Sequence, residues 1–547
     1  MLSVRMLGAS ARNLAPIIGL IVGLSAATLA STAQAGKWDV NPAPDRKPGE
    51  GLGPFHTLVI RGATLIDGTG APPVGPVDIV VHDNVISEIR EAGTPGLPLK
   101  PDRPPLKADY EIDATGQFVL PGFVDMHTHG GDPDKAPDLT YVYKLWMAHG
   151  VTTVRSVPLA SPAITSNEKN RSARNEIVAP RIFNYQTPCA GWTGGACDTP
   201  EQGRAWVHWA AKNNIDGVKL FNRETPDVSA AILIEAKAQH MGSVAHLSQT
   251  GVARLNALQA GRLGLGTVTH YYGHFESLLK DHQIQSFPND YNYANEQDRF
   301  GEAAAIWDQT VDPGSKDWWA YLEEQKKNGV TFDPTFTIYA AGRDLMRARN
   351  ADWHKTYTLP SLWAYYLPNR EHHGSFFFDW TTAREVTWKR FFQRYMQLIK
   401  DYQSIGGRVT TGSDSGFIFK LYGFGYIEEL ELLQEAGLTP LEVIRSATLN
   451  GATTLYEPKG TPAPFGEVTP GKLADLVIVP ENPLGNFKAL YGTGRPRLNL
   501  QTNKEERVGG VRYTIKDGIV YDAKALLADV AAMVEAQKRQ GVGVSPP

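Results

Sequence analysis

The chain has 547 residues, of which 42% are hydrophobic and 20% are charged. These values are typical of a folded globular protein, and they exclude both a disulfide-stapled mini-protein and an intrinsically disordered chain. The net charge of −4, with no basic stripe along the sequence, argues against nucleic acid as a partner.

The first 35 residues have the order of a secretory signal peptide. Arg5 and Arg12 precede an apolar, glycine-rich run, and the segment ends in Ala33, Gln34 and Ala35. A membrane anchor is the alternative, but the run is short and no stop-transfer charges follow it. We therefore expect cleavage of residues 1–35, export to the periplasm or out of the cell, and no stable membrane insertion afterwards.

Strand-like segments lie near both ends of the chain. After a proline-rich linker at residues 36–54, HTLVIRGATLIDGTG and VDIVVHDNVISEIREAG alternate and are rich in β-branched residues. A second group, ADLVIVPEN and VRYTIKDGIVYDAKAL, lies near the C-terminus. The two groups predict a small β-sandwich domain built from residues 55–120 and 461–525, with a C-terminal helix and tail at 526–547.

Between these segments, short apolar strands alternate with helical stretches. The eight strand-like runs are FVLPGFVDMHTH, VTTVRSV, RIFNYQ, DGVKLF, GSVAHL, GTVTHYY, VTFDPTF and GRVTTGSDSG. Apolar strands separated by helices indicate an α/β fold with a parallel sheet covered on both faces. A (β/α)8 TIM-type barrel over residues 121–460 is the economical arrangement, and an open sheet is the alternative.

The segment 274–400 is longer than one strand–helix unit of a barrel requires, and it is rich in Trp, Tyr and Phe. One interpretation is a set of added helices that pack on the barrel with the aromatic side chains in their core. The other is an insertion that covers the active site and shapes an apolar pocket.

Polar side chains fall where the predicted strands end: His127, His129, Lys219, His246, His270 and Asp414. In a parallel barrel all these strand ends open on one face, so residues far apart in sequence converge there. Alternation along a strand places both imidazoles of a His-x-His pair on one side, and such a pair suits a divalent metal. Each residue alone has a structural explanation, but a lysine buried among histidines would be costly unless its charge were changed.

Cys189 and Cys197 are the two cysteines of the chain and lie in a glycine-rich loop, CAGWTGGAC. Export would place them in an oxidising environment where a disulfide persists, which makes a loop-closing bridge possible. Two free thiols are the alternative. A metal site is disfavoured because two cysteines alone cannot complete one.

The motifs PGFVDMHTH, GVTTVRS, DGVKLF, VAHLS, THYY, TGSDSG, LTPLEVIRSATLNGATTL and GEVTPGKLADLVIV follow one another along the chain. In this order they resemble the amidohydrolase superfamily. The short spacing between His246 and His270 is similar to the imidazolonepropionase-like and Xaa-Pro-dipeptidase-like branch, whereas hydantoinases and dihydroorotases usually have a longer gap. One departure is Ser156 after Arg155, where dipeptidase relatives often carry an acidic residue, so substrate contacts near that strand stay open.

The resemblance implies a two-metal site. Lys219 is expected to react with CO₂ and form a carbamate that bridges the two ions. His127, His129 and Asp414 would complete the shell of one metal ion, and His246 and His270 that of the other, with a hydroxide between the ions. A bridging anion offsets the repulsion between two cations and independently supports this arrangement. Zn, Mn, Fe and Co accept such a mixed shell, with Zn²⁺ the leading candidate.

We therefore expect an exported, metal-dependent amidohydrolase that cleaves an amide or peptide-like C–N bond in a small-molecule substrate. Dipeptides and N-acyl amino acids are the leading substrates, and Asp414 is the expected catalytic proton shuttle. Tyr271, Tyr339 and Arg343 are either substrate contacts or packing residues.

Two alternatives remain open. One is hydrolysis of a cyclic amide, a lactone or another ester; the other is a catalytically silent binding protein, which would not need Asp414 or a bridging anion. A homo-oligomer is left open.

Overall fold

The computed structural model describes residues 39–101, 107–221, 223–369 and 377–547. The expected signal peptide lies outside the described residues. In the described part of the chain, no helix combines the length and the apolar character that a membrane crossing requires.

Strands from both ends of the chain form one eight-stranded sheet. Its strands are β1 (Thr57–Leu65), β2 (Val74–His82), β3 (Val85–Glu91), β4 (Tyr110–Asp113), β5 (Phe118–Pro121), β13 (Leu476–Val479), β16 (Tyr513–Lys516) and β17 (Ile519–Asp522). Their order is β17-β16-β13-β5-β1-β2-β3, with β4 paired to β1. The antiparallel pairing of β5 with β13 joins the two ends, and both halves of the sheet contribute to one apolar core.

Seven parallel strands form the barrel: β6 (Phe123–Thr128), β7 (Val151–Ser156), β8 (Arg181–Gln186), β9 (Gly217–Leu220), β10 (Gly242–His246), β11 (Thr267–Thr269) and β12 (Thr331–Asp333). The segment 408–411 fills the gap between β12 and β6. Phe332 N–H donates to Arg408 O on one side, at 2.9 Å, and Met126 N–H donates to Thr411 O on the other, at 2.8 Å. The predicted α/β barrel fold is confirmed, with the eighth strand reduced to this short segment.

Helices cover the outside of the barrel and fill the long insertion. They are α1 (Thr140–Ala148), α2 (Pro162–Ala173), α3 (Pro200–Lys212), α4 (Pro226–Ala238), α5 (Ala257–Arg262), α6 (Glu296–Ala304), α7 (Lys316–Lys327), α8 (Phe336–Arg343), α9 (Leu345–Arg349), α10 (His354–Tyr357), α11 (Pro360–Tyr366), α12 (Thr382–Ser404), α13 (Phe424–Glu435), α14 (Pro440–Arg445), α15 (Gly451–Tyr456) and α16 (Ala523–Gln540). The remaining two strands, β14 (Arg495–Asn499) and β15 (Lys504–Val508), form a separate antiparallel hairpin.

The barrel interior is packed with side chains and is not a pore. The Tyr185 side chain of β8 extends over the next two strands, β9 and β10, where Gly217 and Gly242 leave room for its ring. A Cβ at Gly217 would stand 2.3 Å from Tyr185 Cε1, and one at Gly242 would stand 1.9 Å from the Tyr185 hydroxyl oxygen. Both positions therefore require glycine, and the buried ring forms part of the floor beneath the open end of the barrel.

Candidate metal centre

The six predicted ligands lie at the carboxyl ends of the barrel strands. His127 belongs to the end of β6 and His129 follows it, Lys219 lies in β9, His246 ends β10, and His270 follows β11. Asp414 comes directly after the segment that completes the barrel, and its backbone N–H donates to His127 O at 2.9 Å. The structure thus places all six at the same mouth of the barrel.

Asp414 stands at the centre of three histidines. Its Oδ1 lies 3.3 Å from His129 Nε2 and 3.7 Å from His127 Nε2, and its Oδ2 lies 3.8 Å from His270 Nε2. His127, His270 and Asp414 can bring one ligand atom each to within 4.8 Å of one another. Nitrogen and carboxylate atoms at this spacing have the chemistry of a divalent metal site.

His246 and Lys219 complete the cluster on the far side of His270. The imidazole rings of His246 and His270 have centroids 4.5 Å apart, and the His246 ring stacks on Tyr272 at 5.0 Å. Lys219 is fully buried, and its Nζ has no hydrogen-bond partner among the described residues. Burial lowers the pKa of Lys219 to about 7.

The orphaned amine of Lys219 fits the expected modification. A buried ammonium without a partner is costly, whereas a neutral amine is the form that reacts with CO₂ to give a carbamate. A carbamate would also turn the cation near His127 and His270 into an anionic ligand. The donor set of four imidazoles, one carboxylate and this amine therefore fits divalent ions held at the barrel mouth.

Hydrogen bonds fix which nitrogen of each histidine faces Asp414. His129 Nδ1 lies 3.1 Å from Pro158 O, so Nδ1 carries the proton and donates it. His270 Nδ1 lies 2.6 Å from Thr335 Oγ1, whose own hydroxyl donates to Pro334 O. In both residues Nε2 is left with its lone pair toward the site, as in metal-binding histidines oriented by an outer hydrogen bond.

The same argument applies to His127. Its Nδ1 lies 2.8 Å from Thr269 Oγ1, and that hydroxyl donates to Asp333 Oδ2 at 3.3 Å. Thr269 therefore accepts from Nδ1, and the His127 Nε2 lone pair faces Asp414. Burial lowers the pKa of both His127 and His270 well below the usual value, with further contributions from neighbouring positive charges, so both imidazoles are neutral and able to bind metal.

Three residues of the centre have left-handed backbone conformations. The φ angles are +66° at His270, +50° at Thr335 and +47° at Asp414. Non-glycine residues in this region each cost roughly 1–3 kcal/mol and concentrate at functional sites. The surrounding barrel holds these backbones in place, and the strain aims the His270 and Asp414 side chains into the mouth.

Beneath the ligands lies a buried polar network that the sequence analysis did not single out. Asp125 accepts from Ser413 N at 2.9 Å, from Ser413 Oγ at 2.6 Å and from His127 N at 3.2 Å. Its carboxylate thus ties β6 to the segment that carries Asp414. Burial raises the pKa of Asp125 to about 7. Its position two residues before His127, on the same face of the strand, was the available sequence signal.

Arg155 belongs to the same layer and does not reach the open mouth. It is buried and donates to Met126 O at 2.7 Å, Thr267 Oγ1 at 3.0 Å and Asp333 Oδ2 at 3.3 Å. Arg155 therefore links the end of β7, where Ser156 departs from the dipeptidase pattern, to β6, β11 and β12.

The structure distinguishes the roles of Tyr271, Tyr339 and Arg343, for which the sequence allowed either substrate contact or packing. Arg343 forms ion pairs with Asp344 and Glu435, each at 2.7 Å. Tyr271 is buried against Tyr339 and other aromatic rings. Tyr339, from the long insertion, lies edge-on to His270 at 5.5 Å, so the insertion contributes both packing and part of the wall of the centre.

The loop that contains Cys189 and Cys197 is closed by a disulfide bond between them. It connects β8 to α3 at the carboxyl end of the barrel strands. The two cysteines therefore have a structural role and no role as metal ligands.

Residues 393–520 match the model of the amidohydrolase family. This segment is therefore similar to the amidohydrolase family. The matched part includes Asp414, whereas the histidines and Lys219 precede it along the chain. Together with the barrel fold, the match confirms the resemblance to the amidohydrolase superfamily.

Curated relatives match only part of the chain. A dihydroorotase of Trichlorobacter lovleyi is 30% identical over 146 residues, which is 26% of this chain and 28% of that protein. An N-acyl-D-aspartate deacylase of Alcaligenes xylosoxydans xylosoxydans is 28% identical over 224 residues, which is 39% of this chain and 37% of that enzyme. The chain thus spans well under half the length of these relatives.

Solved structures share the fold over most of the chain. A Xaa-Pro dipeptidase with methionine bound in its active site has a TM-score of 0.55 at 19% identity, covering 85% of this chain and 100% of that one. The ochratoxinase of A. niger has a TM-score of 0.54 at 13% identity, covering 86% and 96%. At these identities the similarity concerns the fold.

Proposed function

We propose that the protein is an exported, metal-dependent hydrolase that cleaves an amide or peptide-like C–N bond in a small molecule. The observation that carries the proposal is the convergence of three imidazole Nε2 atoms on Asp414, beside a buried lysine amine that has no hydrogen-bond partner among the described residues. A protein that only binds a ligand would not need this cluster at the barrel mouth, in which a buried amine lacks a hydrogen-bond partner among the described residues and two of the polar residues have strained backbones.

His127, His129 and Asp414 would hold one divalent ion, His246 and His270 the other, and a carbamate on Lys219 would bridge them. When bound, the ions would lower the pKa of a water molecule and polarise the substrate carbonyl. The hydrogen bonds of His127, His129 and His270 keep their lone pairs directed inward before any ion arrives. These three imidazoles are therefore oriented for metal binding by their outer hydrogen bonds.

Asp414 is the residue that would move the proton. Its side chain is 13% exposed, so it faces both the histidines and the open mouth where a substrate would lie. Its carboxylate would accept a proton from the attacking water molecule and deliver it to the leaving nitrogen as the C–N bond breaks. The product amine thus leaves neutral, and Asp414 returns to its ionised form.

Dipeptides and N-acyl amino acids are the first candidate substrates. The fold is shared with a Xaa-Pro dipeptidase, and one curated relative is an N-acyl-D-aspartate deacylase. Fold similarity alone does not fix a substrate. Cyclic amides are the second candidate because several curated relatives are dihydroorotases, and dihydroorotate is a cyclic amide.

A substrate panel tests the proposal. The full-length enzyme, supplied with Zn²⁺ or Mn²⁺ and bicarbonate, is assayed on dipeptides, N-acyl amino acids, dihydroorotate and lactones. We expect the highest kcat/KM on a linear amide, and loss of that activity on chelation. Faster cleavage of a cyclic amide would favour the second candidate, and no cleavage of any amide would contradict the proposal.

Export is supported by the order of residues in the N-terminal 35 and by the disulfide Cys189–Cys197. We expect the mature protein in the periplasmic or extracellular fraction, with Gly36 as its first residue. A full-length protein retained in the cytoplasm would contradict this part of the proposal.

A further inference from the structure

Lys135 is a buried cation beside the metal centre. It lies in the loop between β6 and α1 and is only 2% exposed. Its Nζ stands 3.6 Å from the centroid of the Phe417 ring and 4.2 Å from that of Tyr365. Two aromatic faces therefore hold the ammonium group in place by cation–π contacts.

This ammonium group is close to the predicted ligands. The Phe417 ring that contacts Lys135 also lies edge-on to the His129 ring, with centroids 5.9 Å apart. The charge of Asp414 acts on Lys135 as well. Tyr365, from α11 of the long insertion, closes the opposite side, so Lys135 lies in the wall of the barrel mouth next to the His129 side of the centre.

The hydrogen-bonding capacity of Lys135 is unused among the described residues. An ammonium group has three donors, and the nearest carboxylate oxygen, Asp132 Oδ2, lies 3.9 Å away, which is too long for a hydrogen bond. Burial lowers the pKa of Lys135 to about 8, so holding this group charged costs free energy. An anionic partner within the mouth would offset that cost.

Three other cations around the centre have carboxylate partners, whereas Arg223, which follows β9, is exposed and lies over the Phe221 ring. Arg299 is paired with Glu296 at 2.7 Å, and Arg343 with Asp344 and Glu435. Arg155 is bonded to Asp333 below the ligands. Unlike these three paired cations, Lys135 has no carboxylate at hydrogen-bond distance among the described residues.

We propose that Lys135 binds a carboxylate group of the substrate and thereby selects amides that carry a free acid. The inference rests on the proposed hydrolase function and narrows it to dipeptides or N-acyl amino acids with an unblocked C-terminus. A single cation flanked by the aromatic faces of Tyr365 and Phe417 suits a monoanion attached to an apolar group. The nearby carboxylates of Asp132 and Asp414 would repel a more highly charged phosphate.

Matched acids and amides test this selection. The metal-loaded enzyme is assayed on dipeptides and N-acetyl amino acids and on the same compounds with a C-terminal carboxamide. We expect the wild-type enzyme to prefer the acids by about 10- to 100-fold in kcat/KM, as for a hydrogen bond to a charged group. A wild-type enzyme that cleaves acids and amides equally well would overturn the proposal without any variant.

Two variants distinguish the effect of the Lys135 charge from an effect on folding: Lys135→Gln removes the positive charge, and Lys135→Arg keeps it. We expect Lys135→Gln to raise KM for the acids by about 10-fold or more, leave the amides nearly unchanged and keep kcat within a few fold. Lys135→Arg should keep most of the preference. Lys212→Gln, an exposed position on α3, serves as the control and should behave as wild type. An unchanged acid preference in a folded Lys135→Gln enzyme would overturn the proposal.

Failure of the hydrolase proposal would be recognised separately. If no amide is cleaved, calorimetry measures binding of apolar amino acids and of the matching amino alcohols, which lack the carboxylate and cannot be hydrolysed. If Lys135→Gln binds the amino acids more weakly than the wild-type protein does, but binds the amino alcohols equally well, the result would still support a carboxylate site. Equal binding of acids and alcohols by the wild-type protein would overturn it.

Discussion

Asp414 is the residue on which hydrolysis depends most directly. Replacing it as Asp414→Asn keeps the size of the side chain but removes the base that would accept a proton from water. We expect turnover to fall by at least about 100-fold, the usual contribution of a general base, while the folded structure is retained. Steady-state kinetics and circular dichroism measure the two effects.

Asp134→Asn is the matched control for that experiment because Asp134 is exposed on the same loop as Lys135. It should retain wild-type turnover. A folded Asp414→Asn enzyme with nearly full activity would contradict the proton-transfer role.

Lys219 provides an independent test at the residue scale. Lys219→Ala removes the amine that would carry the bridging carbamate, so the two sites would lose their shared anion. We expect metal affinity to fall by at least about 10-fold and activity to be lost, with partial recovery on adding formate or acetate. Lys212→Ala should have no effect, and an active, metal-loaded Lys219→Ala enzyme would refute the bridge.

Sequence reasoning reached the six candidate ligands because each one stands at or next to a strand end, which is visible in the alternation of apolar and polar residues. It could have reached Asp125 by the same alternation. It could not reach the partners Thr269, Thr335 and Pro158, because these contacts depend on the stagger of neighbouring strands and on the left-handed backbones at His270 and Thr335.

At the scale of elements, the loop between β8 and α3 owes its shape to the disulfide Cys189–Cys197. The bond closes a loop with a sequence separation of 8, which restricts the unfolded chain. We expect the double variant Cys189→Ser, Cys197→Ser to lose about 2–3 kcal/mol of unfolding free energy in the chain-entropy model. Urea unfolding with and without reductant measures the loss.

Reductant should destabilise the wild-type protein and leave the double variant unchanged. If the wild-type protein unfolds at the same urea concentration with and without reductant, the disulfide does not contribute to stability. The bridge could not be decided from the sequence, because spacing in a glycine-rich loop permits both the closed and the open arrangement.

The eighth barrel position shows where element prediction reached its limit. The run GRVTTGSDSG was predicted as a strand, and it does lie between β12 and β6. Its regular pairing is confined to a single bridge, Phe332 with Val409, and the chain then turns through Gly412 to the left-handed Asp414. Local pattern predicts the place of such a segment but not how early its pairing ends.

At the scale of the whole molecule, a buried ion cluster joins the barrel to the sheet built from the chain ends. Arg181 of β8 contacts Asp475, just before β13, and Asp517, in the turn between β16 and β17, at 2.5 Å. The two carboxylates are 1% and 11% exposed. Removing the cation would leave them without their main partner.

We expect Arg181→Ala to lower the free energy of unfolding by about 3 kcal/mol, the lower part of the range for a broken buried pair, because Lys516 remains 3.2 Å from Asp517. Urea unfolding measures it. Arg204→Ala, which breaks an exposed pair with Glu201, should change stability by less than about 0.5 kcal/mol. An equally small change for Arg181→Ala would show that the two parts are not held by this cluster.

The fold class could be predicted because long-range order follows from local signals: apolar strands alternating with helices predict a barrel, and two strand groups at the chain ends predict a shared sheet. The arrangement of residues 274–400 could not be predicted in the same way. Its aromatic side chains serve both the packing of α12 and the wall beside His270, and composition does not separate these roles.

The most direct test of the metal centre is the number of divalent ions bound to each chain. Inductively coupled plasma mass spectrometry of the full-length protein, purified with Zn²⁺ and bicarbonate and then freed of loose metal, should give about two ions per chain, in proportion to activity. A protein that retains no divalent ion under these conditions, yet remains folded or active, would contradict the account.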